Sequence, residues 1–169
     1  MTQNQYLPEK VLIPHFGDKP LVGVEIGVLG ASGTVAMLNR MPKLKLYAID
    51  PWKHFDKAEY EAENPQEYHD ENYEIAKHRV AEYWNRVTLI KMTSDEAVKL
   101  IPEVDFVWID GDHRYEQVVR DINNYKVKIK KGGIIGGHDY WKEHIVQAIK
   151  ENLGEDIHLG DDGTWWFYV

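Results

Sequence analysis

The chain contains no cysteine, which removes disulfide frameworks, thiolate metal sites and cysteine nucleophiles together. Any metal would have to be held by oxygen or imidazole. Cations are in short supply as well: 20 Lys and Arg against 28 Asp and Glu leave a formal charge of −8. That balance speaks against a nucleic-acid partner, because phosphate binding draws on clustered Lys and Arg. The one basic cluster, Lys126 to Lys131, falls at the end of a predicted helix, where cations complement the helix dipole. No apolar run is long enough to span a bilayer, and the first residues have neither the basic start nor the apolar stretch of a signal peptide. No membrane partner and a cytoplasmic location are the resulting expectations. Internal repeats and low-complexity tracts are absent too, so 169 residues read as a single domain over 1–169, large enough for a real core.

Hydrophobic residues make up 43% of the chain and aromatics 12%, which fits a globular fold. Strands are predicted at 22–28, 45–50, 87–92, 104–110 and 133–138, alternating with helices near 33–41, 67–85, 94–101, 115–130 and 143–153. The helical readings rest on spacing. Tyr73, Ala76, Val80, Tyr83 and Trp84 share one face, and so do Tyr115, Val118, Val119, Ile122, Tyr125 and Ile129. Ile157 to Gly160 and Thr164 to Val169 flank Asp-Asp-Gly and read as an antiparallel hairpin. The expected fold is a doubly wound α/β sheet, mostly parallel, seven-stranded and closed by a C-terminal hairpin.

The most informative run is Val22-Gly-Val-Glu-Ile-Gly-Val-Leu-Gly-Ala-Ser-Gly-Thr34, followed by Leu46-Tyr-Ala-Ile-Asp50. A strand breaks into glycines, re-enters a helix and is followed by a strand ending in an acid. The glycines at 27, 30 and 33 do not have the spacing that seats a pyrophosphate in dinucleotide folds. Glu25 would also repel a pyrophosphate, whereas it suits a ligand carrying an ammonium and a sulfonium. The pattern resembles the glycine loop of class I S-adenosylmethionine-dependent methyltransferases, whose Rossmann-like sheet matches the predicted architecture over nearly the whole chain.

That resemblance implies a set of donor contacts. Glu25 would receive the ammonium, Gly27 would let the backbone approach the methionine moiety, and Asp50 would accept from both ribose hydroxyls. Pro51 and Trp52 would wall the adenine, with Ser94 and Asp95 at its edge. Ser94 also reads as a helix N-cap, and both roles can hold together. Ala31 and Gly33 depart from the family, which commonly has glycine and serine there.

A second constellation comprises Ile109-Asp-Gly-Asp-His-Arg-Tyr-Glu116 and Gly136-Gly-His-Asp-Tyr140. Both strings place acids and a histidine at a strand end. They look like the group that includes the macrocin and cephalosporin-pathway O-methylating enzymes and, more distantly, catechol O-methyltransferase. In those relatives a divalent ion is held at positions that match Asp110, His138 and Asp139, so the resemblance implies magnesium or another divalent metal. Here His138 stands where an acid or small residue is more usual, and Tyr140 where the catechol enzymes have an amide. Without a metal, Asp110 binds the donor or caps the following helix, while Asp112 and His113 shape the turn. His138 and His113 are the candidate bases. Trp141 would border the acceptor pocket. Trp108, Trp165 and Trp166 read as core, and His15, His54, His69, His78, His144 and His158 as surface.

The segment 53–72 is polar with scattered aromatics, Phe55, Tyr60 and Tyr68 among them. It reads either as a lid or as a solvated excursion. The expected activity is methyl transfer from S-adenosylmethionine to a hydroxyl of a small molecule. A catalytically idle donor-binding module of the same fold stays open, and a nicotinamide-dependent oxidoreductase is disfavoured by the glycine spacing, Glu25 and the short chain. Self-association as a homo-oligomer is open.

Overall fold

Seven strands form one sheet in the computed structural model, which describes residues 6–56 and 64–169. They are β1 (Leu21–Ile26), β2 (Leu44–Ile49), β3 (Val87–Ile90), β4 (Val104–Ile109), β5 (Ile129–Gly137), β6 (His158–Leu159) and β7 (Trp165–Tyr168). Their order is β3-β2-β1-β4-β5-β7-β6. The first five are parallel, and β7 runs antiparallel to both β5 and β6. The chain winds outward from β1 to β3 and then returns to place β4 beside β1. The winding therefore reverses between β1 and β4, the place where open α/β sheets form a ligand crevice.

A π-helical turn (Leu7–Leu12) leads into α1 (Ile13–Phe16). The other helices are α2 (Ser32–Arg40), α3 (Gln66–Val80), α4 (Ser94–Ala97), α5 (Tyr115–Lys126) and α6 (Glu143–Leu153). Alternation along β4 divides the core between two layers. Phe106 and Trp108 pack with Met37, Leu38 and the N-terminal turn, whereas Val107 and Ile109 pack with Val118, Ile122 and Ile149. Full burial of each such side chain contributes about 1.5–3 kcal/mol. Among the described residues, no helix is long and apolar enough to cross a membrane.

Three expectations need correction. The fifth helix ends at Lys126 instead of 130, because Lys128 N–H bonds back to the Tyr125 carbonyl and Ile129 opens β5 opposite Val104. Trp84 leaves the shared helical face: α3 stops at Val80, a 3-10 turn follows over Ala81–Tyr83, and the indole is 79% exposed. The segment 53–72 is not one excursion, since Gln66 onward belongs to α3. Residues 57–63, Tyr60 among them, lie outside the described residues.

Candidate functional site

Beyond the formal strand ends the parallel ladder continues by one residue. Gly27 N–H donates to the Ile49 carbonyl (2.9 Å), Asp110 N–H to the Ile26 carbonyl (2.8 Å) and His138 N–H to the Ile109 carbonyl (3.3 Å). The two chemistry-bearing strings of the sequence thus become neighbours. They open onto one cleft of about 870 Å³ along the carboxyl edge of the sheet.

At one end of the cleft the glycine loop is held from behind. Asp50 Oδ2 accepts from the amides of Val28 (3.0 Å) and Leu29 (2.9 Å), and Oδ1 accepts from Trp52 N–H (2.7 Å). A carboxylate offers about four lone-pair sites, so Asp50 keeps capacity for one further donor instead of the two ribose hydroxyls expected of it. Trp52 does not wall the cleft. It is fully buried, and its Nε1–H donates to the Leu29 carbonyl at 2.8 Å, so the ring props the loop from beneath. Pro51 does line the cleft. Arg79 braces the same loop through the Gly30 carbonyl and Ser32 Oγ, both at 2.8 Å. No sequence signal marked it.

Leu29, Ala31, Trp52 and Asp139 all have positive φ. Left-handed backbone at non-glycine residues is costly, and it gathers where the surrounding structure overdetermines it. Gly27 is needed for a reason the sequence did not reveal. Its φ is +89°, and a Cβ there would lie 2.1 Å from the Asp110 carbonyl oxygen, so glycine lets β1 close against the β4 turn.

Glu25 lies in the cleft wall and is only 4% exposed. Thr34 Oγ1–H donates to its Oε2 at 2.5 Å. Burial outweighs that bond and, with Asp110 and Asp50 nearby, pushes the carboxyl up to about 8. Without a ligand Glu25 is therefore largely protonated at neutral pH.

The capping role expected of Ser94 falls to Thr93, which forms a capping box with Glu96. Ser94 turns inward instead. Its hydroxyl donates to Asp121 Oδ1 (2.6 Å) and accepts from Gln117 Nε2 (3.0 Å). Asp121 is fully buried, and desolvation pushes it up to about 7 against the bonds from Ser94 and Gln117. Asp95 is held by Arg120 (3.2 Å) and Asn124 (3.0 Å). Ser94 and Asp95 both line the cleft, and α5 holds their side chains. Sequence reasoning missed Asp121, although a polar residue among Val118, Ile122 and Tyr125 on an apolar helix face was a usable signal. His69, read as surface, is 5% exposed and also lines the cleft, so that reading is corrected.

At the other end, Asp110, His113 and Asp139 bring one ligand atom each within 4.8 Å of one another. His113 takes the place expected of His138. The His138 ring turns the other way, with Nε2 on the Asp162 carbonyl (2.8 Å), Nδ1 on Asp139 Oδ1 (3.2 Å) and an edge-to-face contact with Trp141, ring centroids 4.8 Å apart. With a carbonyl on one nitrogen and a carboxylate on the other, the ring favours the imidazolium; the bond to Asp139 raises its pKa against the burial that lowers it.

His113 Nε2 faces Asp139 Oδ2 at 3.0 Å and Asp110 Oδ1 at 3.6 Å. Burial disfavours its charge, but the bonds to Asp110 and Asp139 prevail and raise it to about 9, with Lys142 opposing. Lys142 was not anticipated. Its Nζ donates to Asp139 Oδ2 at 2.5 Å and lies 3.3 Å from His113 Nδ1. Asp139 is held well below the usual carboxylate range: burial works against this, but donors from His113, His138 and Lys142 surround the group. Asp112 is clasped by the Arg114 guanidinium and shapes the turn. Trp141, 60% exposed, does border the cleft.

A hard divalent ion fits this group poorly. Both oxygens of Asp139 already face nitrogens, where such an ion seeks oxygen-rich coordination. The Lys142 side chain is only 12% exposed, and an ammonium about 4 Å from a dication costs about 4 kcal/mol per unit of metal charge at an effective dielectric of about 20.

The fold has counterparts among known proteins. A family model described as a methyltransferase domain matches residues 24–140, from β1 to the turn after β5. An uncharacterised protein of Acanthamoeba polyphaga mimivirus is 28% identical over 166 residues, covering 91% of this chain and 68% of its own length. An O-methyltransferase from Bacillus cereus, solved with SAH, superposes with a TM-score of 0.65 at 15% identity, over 97% of this chain and 78% of that one. A precorrin-6y C5,15-methyltransferase from Geobacter metallireducens also gives 0.65, at 19% identity, over 88% and 70%. At such identities the superpositions establish the fold alone. The matched segment covers more than half of the sequence and carries both ends of the cleft, and the chain belongs to the methyltransferase-domain family.

Proposed function

We propose that this protein transfers the methyl group of S-adenosylmethionine to a hydroxyl of a small-molecule acceptor. The observation that carries the reading is the continuity of the cleft. The Glu25, Gly27 and Asp50 end and the Asp110, His113 and Asp139 end share one cavity of about 870 Å³, large enough for the donor and a small acceptor side by side. Glu25 receives the donor's ammonium, and Asp50 accepts from the ribose. Ser94 and Asp95 border the adenine.

In the reaction the acceptor hydroxyl gives up its proton, and the oxygen attacks the methyl carbon. The oxygen–carbon bond forms as the carbon–sulfur bond breaks, leaving a methyl ether, S-adenosylhomocysteine and one proton. Most of the acceleration comes from holding oxygen, carbon and sulfur in line. His113 is the proton acceptor in this reading. Its Nε2 is turned to the carboxylates of Asp139 and Asp110, so Nδ1, facing the Lys142 ammonium at 3.3 Å, is the nitrogen that an incoming hydroxyl meets. His138 is a strut for Asp139, since it is tied at both nitrogens and its side chain is 6% exposed.

The test is turnover with labelled S-adenosylmethionine against a panel of small phenols, catechols and sugar alcohols. Formation of S-adenosylhomocysteine with a methyl ether is the expected result. Tight donor binding with no turnover on any hydroxylated, amine or carbon acceptor would favour the idle binding module. Methylation of amines or carbon alone would overturn the hydroxyl assignment.

A further inference from the structure

The site has features that a metal-assisted reaction would not combine. Two carboxylates from neighbouring strand tips converge with an imidazole, the arrangement that holds a divalent ion in many enzymes. Into it reaches a lysine from the turn after β5, with its ammonium 2.5 Å from Asp139 Oδ2 and 3.3 Å from His113 Nδ1. Lys142 lies three residues beyond Asp139, which has a left-handed φ of +66°. Lys142 N–H also donates to the Asp139 carbonyl at 3.0 Å, closing the turn and directing the chain back over the carboxylate. The ammonium pairs with the Asp139 carboxylate, so that carboxylate has a cation supplied by the chain itself.

Resting on the methyltransferase reading above, we propose that Lys142 is the resident cation of the acceptor end, standing where a divalent metal would otherwise be bound by Asp110, His113 and Asp139. The ammonium does two things there. It keeps Asp139 ionised and in place as the partner of His113, and it supplies fixed positive charge beside the acceptor oxygen as that oxygen loses its proton. A preorganised charge in a partly dry site needs no reorganisation during reaction. The protein is then metal-independent by construction, and the ligand set is a metal site with its occupant built into the chain.

The assignment is tested by titrating Mn²⁺ into the purified full-length protein and reading free Mn²⁺ by electron paramagnetic resonance, which needs neither substrate nor turnover. Wild type should hold Mn²⁺ no better than its exposed carboxylates do. Lys142→Met, which keeps the aliphatic stem and removes the charge, should bind one Mn²⁺ at least about tenfold more tightly, the scale on which groups around a metal site change affinity. Lys142→Gln is the second neutral variant. Adding Asp139→Asn to Lys142→Met should return the affinity to the wild-type level. Binding of S-adenosylhomocysteine, measured by calorimetry on the same samples, separates this claim from the methyltransferase reading: its loss in wild type would defeat that reading while the Mn²⁺ titration still decides the role of Lys142. Tight Mn²⁺ binding by wild type that Asp110→Asn abolishes would overturn the proposal. A folded Lys142→Met or Lys142→Gln that gains no Mn²⁺ affinity would overturn it as well.

Discussion

Glu25 makes donor binding depend on pH in a way that can be worked out from its surroundings. The carboxyl is 4% exposed and has Thr34 as its hydrogen-bond donor, and burial raises its pKa from 4.5 to about 8. At pH 6 only about one Glu25 in a hundred is ionised, and at pH 7 about one in ten. An ammonium docked against it stabilises the carboxylate, so binding should release close to one proton in this range. Affinity for S-adenosylhomocysteine should then rise about tenfold between pH 6 and pH 7, equivalent to about 1.4 kcal/mol. It should level off near pH 8, where the ligand's own α-ammonium begins to deprotonate. Calorimetry in two buffers of different ionisation enthalpy measures affinity and proton release together. Glu25→Gln should flatten the profile, with affinity close to that of wild type at pH 6. A wild-type profile that is flat from pH 6 to 7, with no proton released, would refute the placement of the ammonium at Glu25. The same group ties stability to pH. Its folded pKa lies above its unfolded value, so its contribution is fully present below about 4.5 and is lost as pH rises through about 8. The ligand should therefore raise the melting temperature more at pH 8 than at pH 6.

Two further outcomes follow from the site. Asp50→Ala should weaken S-adenosylhomocysteine binding by about 1.5–3 kcal/mol, the scale of hydrogen bonds to a charged group; because Asp50 also secures the amides of Val28, Leu29 and Trp52, thermal melting of the empty variant should shift down too. If His113 takes the acceptor proton, kcat should rise with pH and level off near pH 9, and His113→Asn should abolish that rise. The stability that the charged His113 ring contributes is present below about 6.5 and is lost as pH passes about 9, so a denaturant midpoint that does not fall across this window would contradict the environment assigned to it.

The strand tips were legible because apolar runs in this chain break abruptly at Glu25-Ile-Gly27, Ile49-Asp50, Ile109-Asp110 and Gly137-His138. Runs of that kind locate the ends of buried parallel strands. What lay beyond the tips was less legible, because turn geometry decides it. Consecutive residues of an extended chain alternate in direction, and the positive φ of Asp139 breaks that alternation. His138 therefore turns to Asp162 while Lys142 folds back onto Asp139. His113 joins Asp110 from three residues away in the β4 turn, a closeness that spacing alone did not distinguish from a solvated loop. Ile129 kept helical phase with Tyr125 and was assigned to the helix for that reason, yet pairing with Val104 claimed it for β5. Trp52 was expected against the ligand, and its buried bond to Leu29 gives it the loop instead.

The central claim, that the strand-tip cleft binds the methyl donor and carries it to an acceptor, is tested most directly by a crystal structure of the protein grown with S-adenosylhomocysteine. One ligand per chain is expected, with its ammonium on Glu25, a ribose hydroxyl on Asp50, the adenine beside Ser94 and Asp95, and the sulfur directed toward Asp110 and His113. A ligand bound elsewhere on the chain, or a sulfur directed away from His113, would contradict it.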